Sequence, residues 1–270
     1  MNPNKDLWEK GDFTKIAATM RDSGTTLVNK IDKYLPMTAL DLGCGDGTTA
    51  VPLAEFGADV LGIDIARNLV DAGTRRATEK GLDNLRFQVG DACRLEGVAD
   101  ASFDLTLSVF GAMFAPRPFD VAQEIVRVTQ PGGRIVMGNW IPNDPTSFVS
   151  QVLKISSAFV PPPPEGFVSP MTWGVESHVL ERFGKAGVEA KNITMVKDTF
   201  FFVASMTTVQ LIDLFRNYYG PTMNAFDAAA KEGHEQELSR QLLESAQNQN
   251  VATDGTIRIG ATYLNVTVRL

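Results

Sequence analysis

Leu40-Asp41-Leu42-Gly43-Cys44-Gly45-Asp46-Gly47-Thr48 is the stretch that decides the fold. It closes a strand-like apolar run at 38–43 and opens a helical stretch at 48–56. Glycines at 43, 45 and 47 let the backbone turn sharply and approach a ligand closely. A purely structural tight turn would ask for glycine too. The dinucleotide fingerprint GxGxxG would need its third glycine at position 48, where Thr48 stands. It also has no need of an acid two residues before its first glycine, where Asp41 stands. A nicotinamide oxidoreductase is therefore the weaker alternative on spacing.

Strand-like runs at 59–63, 85–89, 103–108 and 134–140 alternate with helical stretches at 67–80 and 119–129, the latter stopped by Pro131-Gly132-Gly133. Strands separated by helices argue for βαβ units and a parallel sheet covered on both faces. Right-handed crossovers then make it doubly wound. Beyond Trp140 the pattern changes: a turn at 142–145, a helix at 146–159, an extended four-proline run at 161–164, a helix at 175–183 and a strand at 188–203. Helical stretches at 209–219 and 224–247 lead to a last strand at 255–270. A strand, a helical insertion and a final strand read as a β-hairpin whose connection has grown into a cap. One domain is expected, with an N-terminal helical segment (1–34), a core (35–141), remaining core (142–203 and 252–270) and a cap (204–251).

Asp64 follows the second strand, ~20 residues after the glycine loop, where an acid can accept both hydrogen bonds of a ribose diol. As a helix N-cap it would look the same. Gly90-Asp91-Ala92 follows the third strand and can reach an adenine edge, though Gly-Asp is also ordinary turn chemistry. The glycine loop, Asp64 and Asp91 stand in order at the carboxyl ends of successive strands, where open α/β sheets bind ligands.

These residues resemble the class I methyltransferases that use S-adenosylmethionine (SAM), most closely the small-molecule type of the ubiquinone-biosynthesis C-methyltransferase group. Leu40 to Gly47 looks like their first motif, Asp64 like their ribose acid and Asp91-Ala92 like their adenine-contacting pair. Phe103-Asp104-Leu105 with Ser108 is similar to their fourth-strand motif, and Pro131-Gly132-Gly133-Arg134 to the turn before strand five. The resemblance covers about residues 34–141. It implies a Rossmann-like, mostly parallel seven-stranded sheet with an antiparallel last strand, SAM as cofactor and S-adenosylhomocysteine as its product. It implies cofactor contacts from Asp41, Gly43, Cys44, Gly45, Asp64, Ile65, Gly90, Asp91, Ala92, Ser108 and Val109, with Trp8 folding over from the N-terminal segment.

The acceptor pocket is read from Phe110, Met113 and Phe114 after strand four, Trp140 at the end of strand five, and Tyr218 and Tyr219 in the cap. Each could equally be core packing. His178 is a weak candidate base in an amphipathic helix, and His234 reads as solvated. Neither has a partner spaced for a metal, and no GxSxG or HExxH is present.

The net charge of −7 argues against nucleic acid and anionic membrane surfaces as partners, since both are gripped by Lys and Arg. Two cysteines far apart fit a reducing compartment, the cytoplasm. The opening residues lack the apolar core of a signal peptide. The expected partner is a small-molecule substrate, with a homodimer allowed for. The expected function is methyl transfer to a small organic acceptor. The alternative is a SAM-binding module without chemistry, serving as a sensor or partner subunit.

Overall fold

The computed structural model describes residues 4–270; the first three residues of the expected N-terminal segment lie outside it. The elements run α1 (Asn4–Glu9), α2 (Thr14–Ala18), α3 (Arg21–Lys30), β1 (Thr38–Leu42), α4 (Ala50–Phe56), β2 (Asp59–Asp64), α5 (Arg67–Glu79), β3 (Leu85–Val89) and β4 (Phe103–Val109). There follow α6 (Pro118–Val128), β5 (Thr129–Trp140), α7 (Phe148–Ser157), α8 (Glu176–Lys185), β6 (Ile193–Ala204), α9 (Thr208–Tyr218), α10 (Gly220–Lys231), α11 (Glu235–Gln249) and β7 (Ile257–Arg269).

The seven strands form one sheet in the order β3-β2-β1-β4-β5-β7-β6. The first five pair in parallel, and β7 runs antiparallel to both β5 and β6. This is the expected doubly wound sheet with its antiparallel last strand. The central strands are apolar along their length because helices cover both faces: Ala39, Leu40 and Leu42 in β1 and Leu105 and Leu107 in β4 are all buried. α5 and α6 are amphipathic, and Ala77, Val121 and Ile125 of their inner faces join the core. Gly57, in the left-handed region at φ +109°, ends α4.

β6 and β7 overrun the rest of the sheet. Trp140, the end of β5, aligns with Tyr263 and through it with Asp198. The pairs from Thr199↔Thr262 to Ala204↔Ile257 therefore rise beyond the carboxyl edge as a wall. The N-terminal helices lean on that wall: Val203 N donates to Thr19 O at 2.8 Å, and the Ser23 hydroxyl both donates to Phe201 O and accepts from Phe201 N. They thereby satisfy backbone groups of an edge strand.

The cap helices α9–α11 sit between β6 and β7 in sequence and pack on α7. α9 starts with a capping box in which Thr207 and Gln210 satisfy each other's backbone amides. The stretch expected as one helix at 224–247 is two, because Gly233 turns into the left-handed region at φ +74° and lets the chain reverse. Phe215 packs edge-on against Phe148 and tilted against Phe202, so the cap is continuous with the core. Among the described residues no helix is long and apolar enough to cross a membrane.

Candidate functional site

The glycine loop is held from two sides. Gly43 N and Cys44 N both donate to Ile63 O, at 2.7 and 3.1 Å. Asp64 ends β2, and its carboxylate crosses under the loop. Oδ2 accepts from Gly45 N at 2.8 Å and Oδ1 from Ala66 N at 2.9 Å. Asp64 is therefore a clamp that joins the loop to the turn before α5; the N-cap of that helix is Ala66, not Asp64. Burial raises its carboxyl pKa, and the amide donors oppose that rise.

Asp41 lies beneath the loop rather than on its surface. Its Oδ2 accepts from the Thr49 hydroxyl at 2.6 Å, while Oδ1 is buried without a partner. Burial pushes its carboxyl up to about 7 despite the Thr49 hydrogen bond, and the charge of Asp64 adds to the rise.

Asp46 is the loop residue that sequence reasoning passed over. It is 2% exposed and accepts from Arg21 Nη2 of α3 at 2.5 Å, with Arg76 of α5 also in ion-pair range. Arg76 also donates to the Asp46 carbonyl. Two helices that flank the loop are thus pinned to its tip. The signal was an acid between two glycines, but neither arginine is near it in sequence.

The β4 end is built as tightly. The Ser108 hydroxyl donates to Leu42 O at 2.7 Å and accepts from Ala112 N at 3.0 Å, tying β4 to β1 and to the 3₁₀ turn Ala112–Phe114. Phe110 has φ +62°, a left-handed conformation that a bulky residue rarely adopts. It is held there by Gly138 O, which accepts from its amide, and by its ring. That ring stacks on Trp140 with centroids 3.5 Å apart and meets Phe200 and Tyr263 edge-on.

The N-terminal segment closes the third side. Glu9 Oε1 accepts from Arg67 N at the start of α5, and Asn68 Nδ2 donates to Gly11 O. Lys10 Nζ donates to Asn224 and Asp227 of α10 at 2.7 and 2.6 Å. Trp8 is caged edge-on by Phe13 and Phe114, with Tyr219 tilted behind it.

Together these parts line a cleft that opens to solvent. One half is loop and strand ends: Gly43, Cys44, Gly45, Asp46, Asp64, Ile65, Gly90, Ala92 and Val109 line it. The other half is apolar, from Trp8, Phe13, Ala17, Met20, Phe110, Phe114 and Phe200. Of the residues expected on sequence grounds, Asp41, Asp91, Ser108, Met113, Trp140, Tyr218 and Tyr219 are not on its wall. Asp41 and Ser108 brace it from beneath. Asp91 accepts from Cys93 N in a turn. Met113 is buried in the core, Trp140 backs Phe110, and Tyr219 backs Trp8 and Phe13. Tyr218 lies at the end of α9, where its carbonyl abuts Gly11. His178 is on α8, away from the cleft. Phe13, Met20 and Phe200 were missed because an apolar residue in a helix or strand carries no mark separating a ligand wall from core.

The cleft offers no free base. The Cys44 thiol is pushed far up by burial, Asp46 is paired to arginine, and Asp64 is held by amides. No cluster able to hold a metal is present among the described residues.

The residues fit an adenosyl cofactor with an ammonium group. Gly45 sits at φ +56° with open space where a Cβ would be, which bares the loop backbone. Asp41 Oδ1 is a buried acceptor lacking a donor. The Asp64 oxygens each retain a lone pair beside the cleft.

Residues 40–137 match the model of a methyltransferase domain family. An uncharacterized protein of Mycobacterium tuberculosis is 30% identical over 249 residues, covering 90% of this chain and 86% of the relative. A demethylmenaquinone methyltransferase of Paenarthrobacter aurescens is 30% identical over 172 residues, 60% of this chain and 66% of the relative. Among solved structures, the YcgJ protein of Bacillus subtilis superposes with a TM-score of 0.56 at 18% identity, covering 92% of this chain and 98% of that one.

Proposed function

The chain belongs to the class I SAM-dependent methyltransferases, and from that premise we propose that it methylates a small, largely apolar organic acceptor bound in the aromatic half of the cleft. The observation that carries this reading is the division of one cleft into a glycine-and-acid half and an aromatic half. Gly43 and Gly45, braced from beneath by Asp41, would hold the methionine end, Asp64 and Ile65 the ribose, and Gly90 and Ala92 the adenine. The cofactor supplies an electrophilic methyl on a sulfonium, which leaves as a neutral thioether by in-line displacement.

The protein's own part is placement and dryness. Phe110, fixed by Trp140 and Phe200, presents a rigid face to the acceptor. Trp8 and Phe13 close over it and exclude water. Holding two reactants in line can supply ~7–11 kcal/mol. Aromatic faces also favour a neighbouring cation. Little charge is created in the step, which agrees with the lack of a free base in the cleft. Two buried free thiols support a reducing compartment, the cytoplasm.

The test is transfer of labelled methyl from SAM into a metabolite extract split into apolar and water-soluble fractions. Label is expected in the apolar fraction, with S-adenosylhomocysteine formed in step. Label confined to the water-soluble fraction would refute the apolar acceptor. A melting-temperature rise with NAD but not with SAM would refute the cofactor.

A further inference from the structure

Arg182 of α8 is a buried cation without a salt-bridge partner, and only the charge of Glu181 acts on it from a distance. It is 3% exposed, and no carboxylate lies within ion-pair range of it among the described residues. Its Nη2 donates to Thr172 Oγ1 at 2.6 Å, and that hydroxyl spends its own proton on Ser169 O. The guanidinium lies 4.5 Å from the centroid of the Trp173 ring. Arg182 Nη1 and Trp173 Nε1 are both buried donors with no acceptor. The nearest acid in sequence, Glu181, is turned outward and bound by Lys185. Burial lowers the Arg182 pKa to about 10, still far above neutrality, so the charge persists. A buried guanidinium that makes no ion pair is costly to strip of its water. Water can satisfy an N–H but cannot neutralise the charge.

A guanidinium stacked on an indole, with free N–H groups on both, is suited to a planar or tetrahedral oxyanion. Its place ties it to the cleft. The 3₁₀ turn Pro170–Gly174 that carries Thr172 and Trp173 packs on the turn Ala112–Phe114. A Cβ on Gly174 would stand 2.1 Å from Trp140 O, so the two backbones are in contact. The turn thus supports both Phe114 and the Trp140 that backs Phe110.

We propose that Arg182, Trp173 and Thr172 form an oxyanion site, for a carboxylate or phosphate group, directly behind the aromatic wall of the cleft. It does not depend on the identity of the methyl acceptor. The test is the melting temperature of the whole chain against inorganic phosphate, acetate and octanoate at constant ionic strength. A saturable rise is expected, ~5 °C at one hundred times the Kd for a protein of this size. Response to phosphate or acetate identifies a free ion; response to octanoate alone identifies an anion carried on an apolar chain. Either supports the site provided that Arg182→Met abolishes the rise. Arg182→Met swaps the ion for an apolar side chain of similar length, a change that buried sites often tolerate. Arg182→Lys keeps the charge without the fork, and at least a tenfold rise in the apparent Kd is expected. No rise in the native chain, or the same rise in Arg182→Met and Arg182→Lys as in the native chain, overturns the proposal.

Discussion

Gly43 and Gly111 touch backbone to backbone: a Cβ built on Gly111 would lie 2.2 Å from the Gly43 carbonyl oxygen, and one on Gly43 would lie 2.6 Å from Gly111 Cα. The glycine loop and the loop after β4 are therefore one packed unit. Gly111→Ala must push them apart. Overpacking of this kind costs ~1–3 kcal/mol, and SAM affinity should fall at least tenfold by calorimetry. Gly184→Ala is the contrast. It lies in α8 with nothing within 4 Å of the added carbon, and should stabilise by ~0.5–1 kcal/mol.

Asp64 has more to lose than a ribose contact. Its oxygens hold Gly45 N and Ala66 N, so Asp64→Ala frees both amides and slackens the loop. Hydrogen bonds to a charged group are worth ~1.5–3 kcal/mol each. SAM affinity is expected to drop more than tenfold and the melting temperature to fall with it. Asp64→Asn, which keeps one acceptor oxygen, should lose less of both. Unchanged affinity in a folded Asp64→Ala protein would take Asp64 out of the site.

Asp41 makes stability depend on pH in the unusual direction. A carboxyl raised from 3.8 to about 7 in the folded state binds its proton more tightly folded than unfolded. Its contribution is fully present below pH ~4 and is lost as pH rises through 7. The difference of ~3 units corresponds to about 4 kcal/mol at most. The cofactor-free protein should therefore melt lower at pH 8 than at pH 6, and Asp41→Asn should flatten that slope. An ammonium brought near Oδ1 would favour the ionised form. SAM binding should then release a proton near pH 7, seen as a buffer-dependent binding enthalpy that Asp41→Asn lacks.

The sheet was legible because buried parallel strands and amphipathic helices write periodic patterns, and because the glycine loop, Asp64 and Gly90 each follow a strand. The placement of all three at the carboxyl edge followed from the topology alone. The aromatic wall was legible only in part. Phe110 and Phe114 were found because they follow β4 directly. Trp140 and Tyr219 read as lining in the sequence and stand one layer back in the structure, since burial by a neighbouring ring and burial by a ligand ask for the same residue. The Arg21–Asp46–Arg76 clamp and the leaning of Ser23 on Phe201 join residues remote in sequence, and nothing local announces them. Gly233 was readable as a helix break and was overrun by the helical character around it. The cap shares Phe215 with the core ring cluster.

Catalysis by placement predicts which variants hurt. Phe110 bears the strain of φ +62° and a stack on Trp140 at 3.5 Å, an arrangement whose structural cost is offset by its neighbours and whose product is a fixed face in the cleft. Phe110→Leu keeps an apolar side chain of similar reach and loses the planar face. Its kcat should fall at least tenfold, while SAM affinity, which rests on the opposite half of the cleft, stays within about threefold. Trp140→Leu should act in the same direction through Phe110, with a smaller effect because Phe200 and Tyr263 still hold the ring edge-on. His178 lies on α8 outside the lining, so His178→Ala should leave kcat within about twofold, and its pH profile should overlay that of the native enzyme. A loss of a thousandfold in His178→Ala with SAM binding intact would mean that α8 moves to the acceptor during turnover and brings a base with it. A normal kcat in Phe110→Leu would mean that the acceptor is aligned by something other than the aromatic wall.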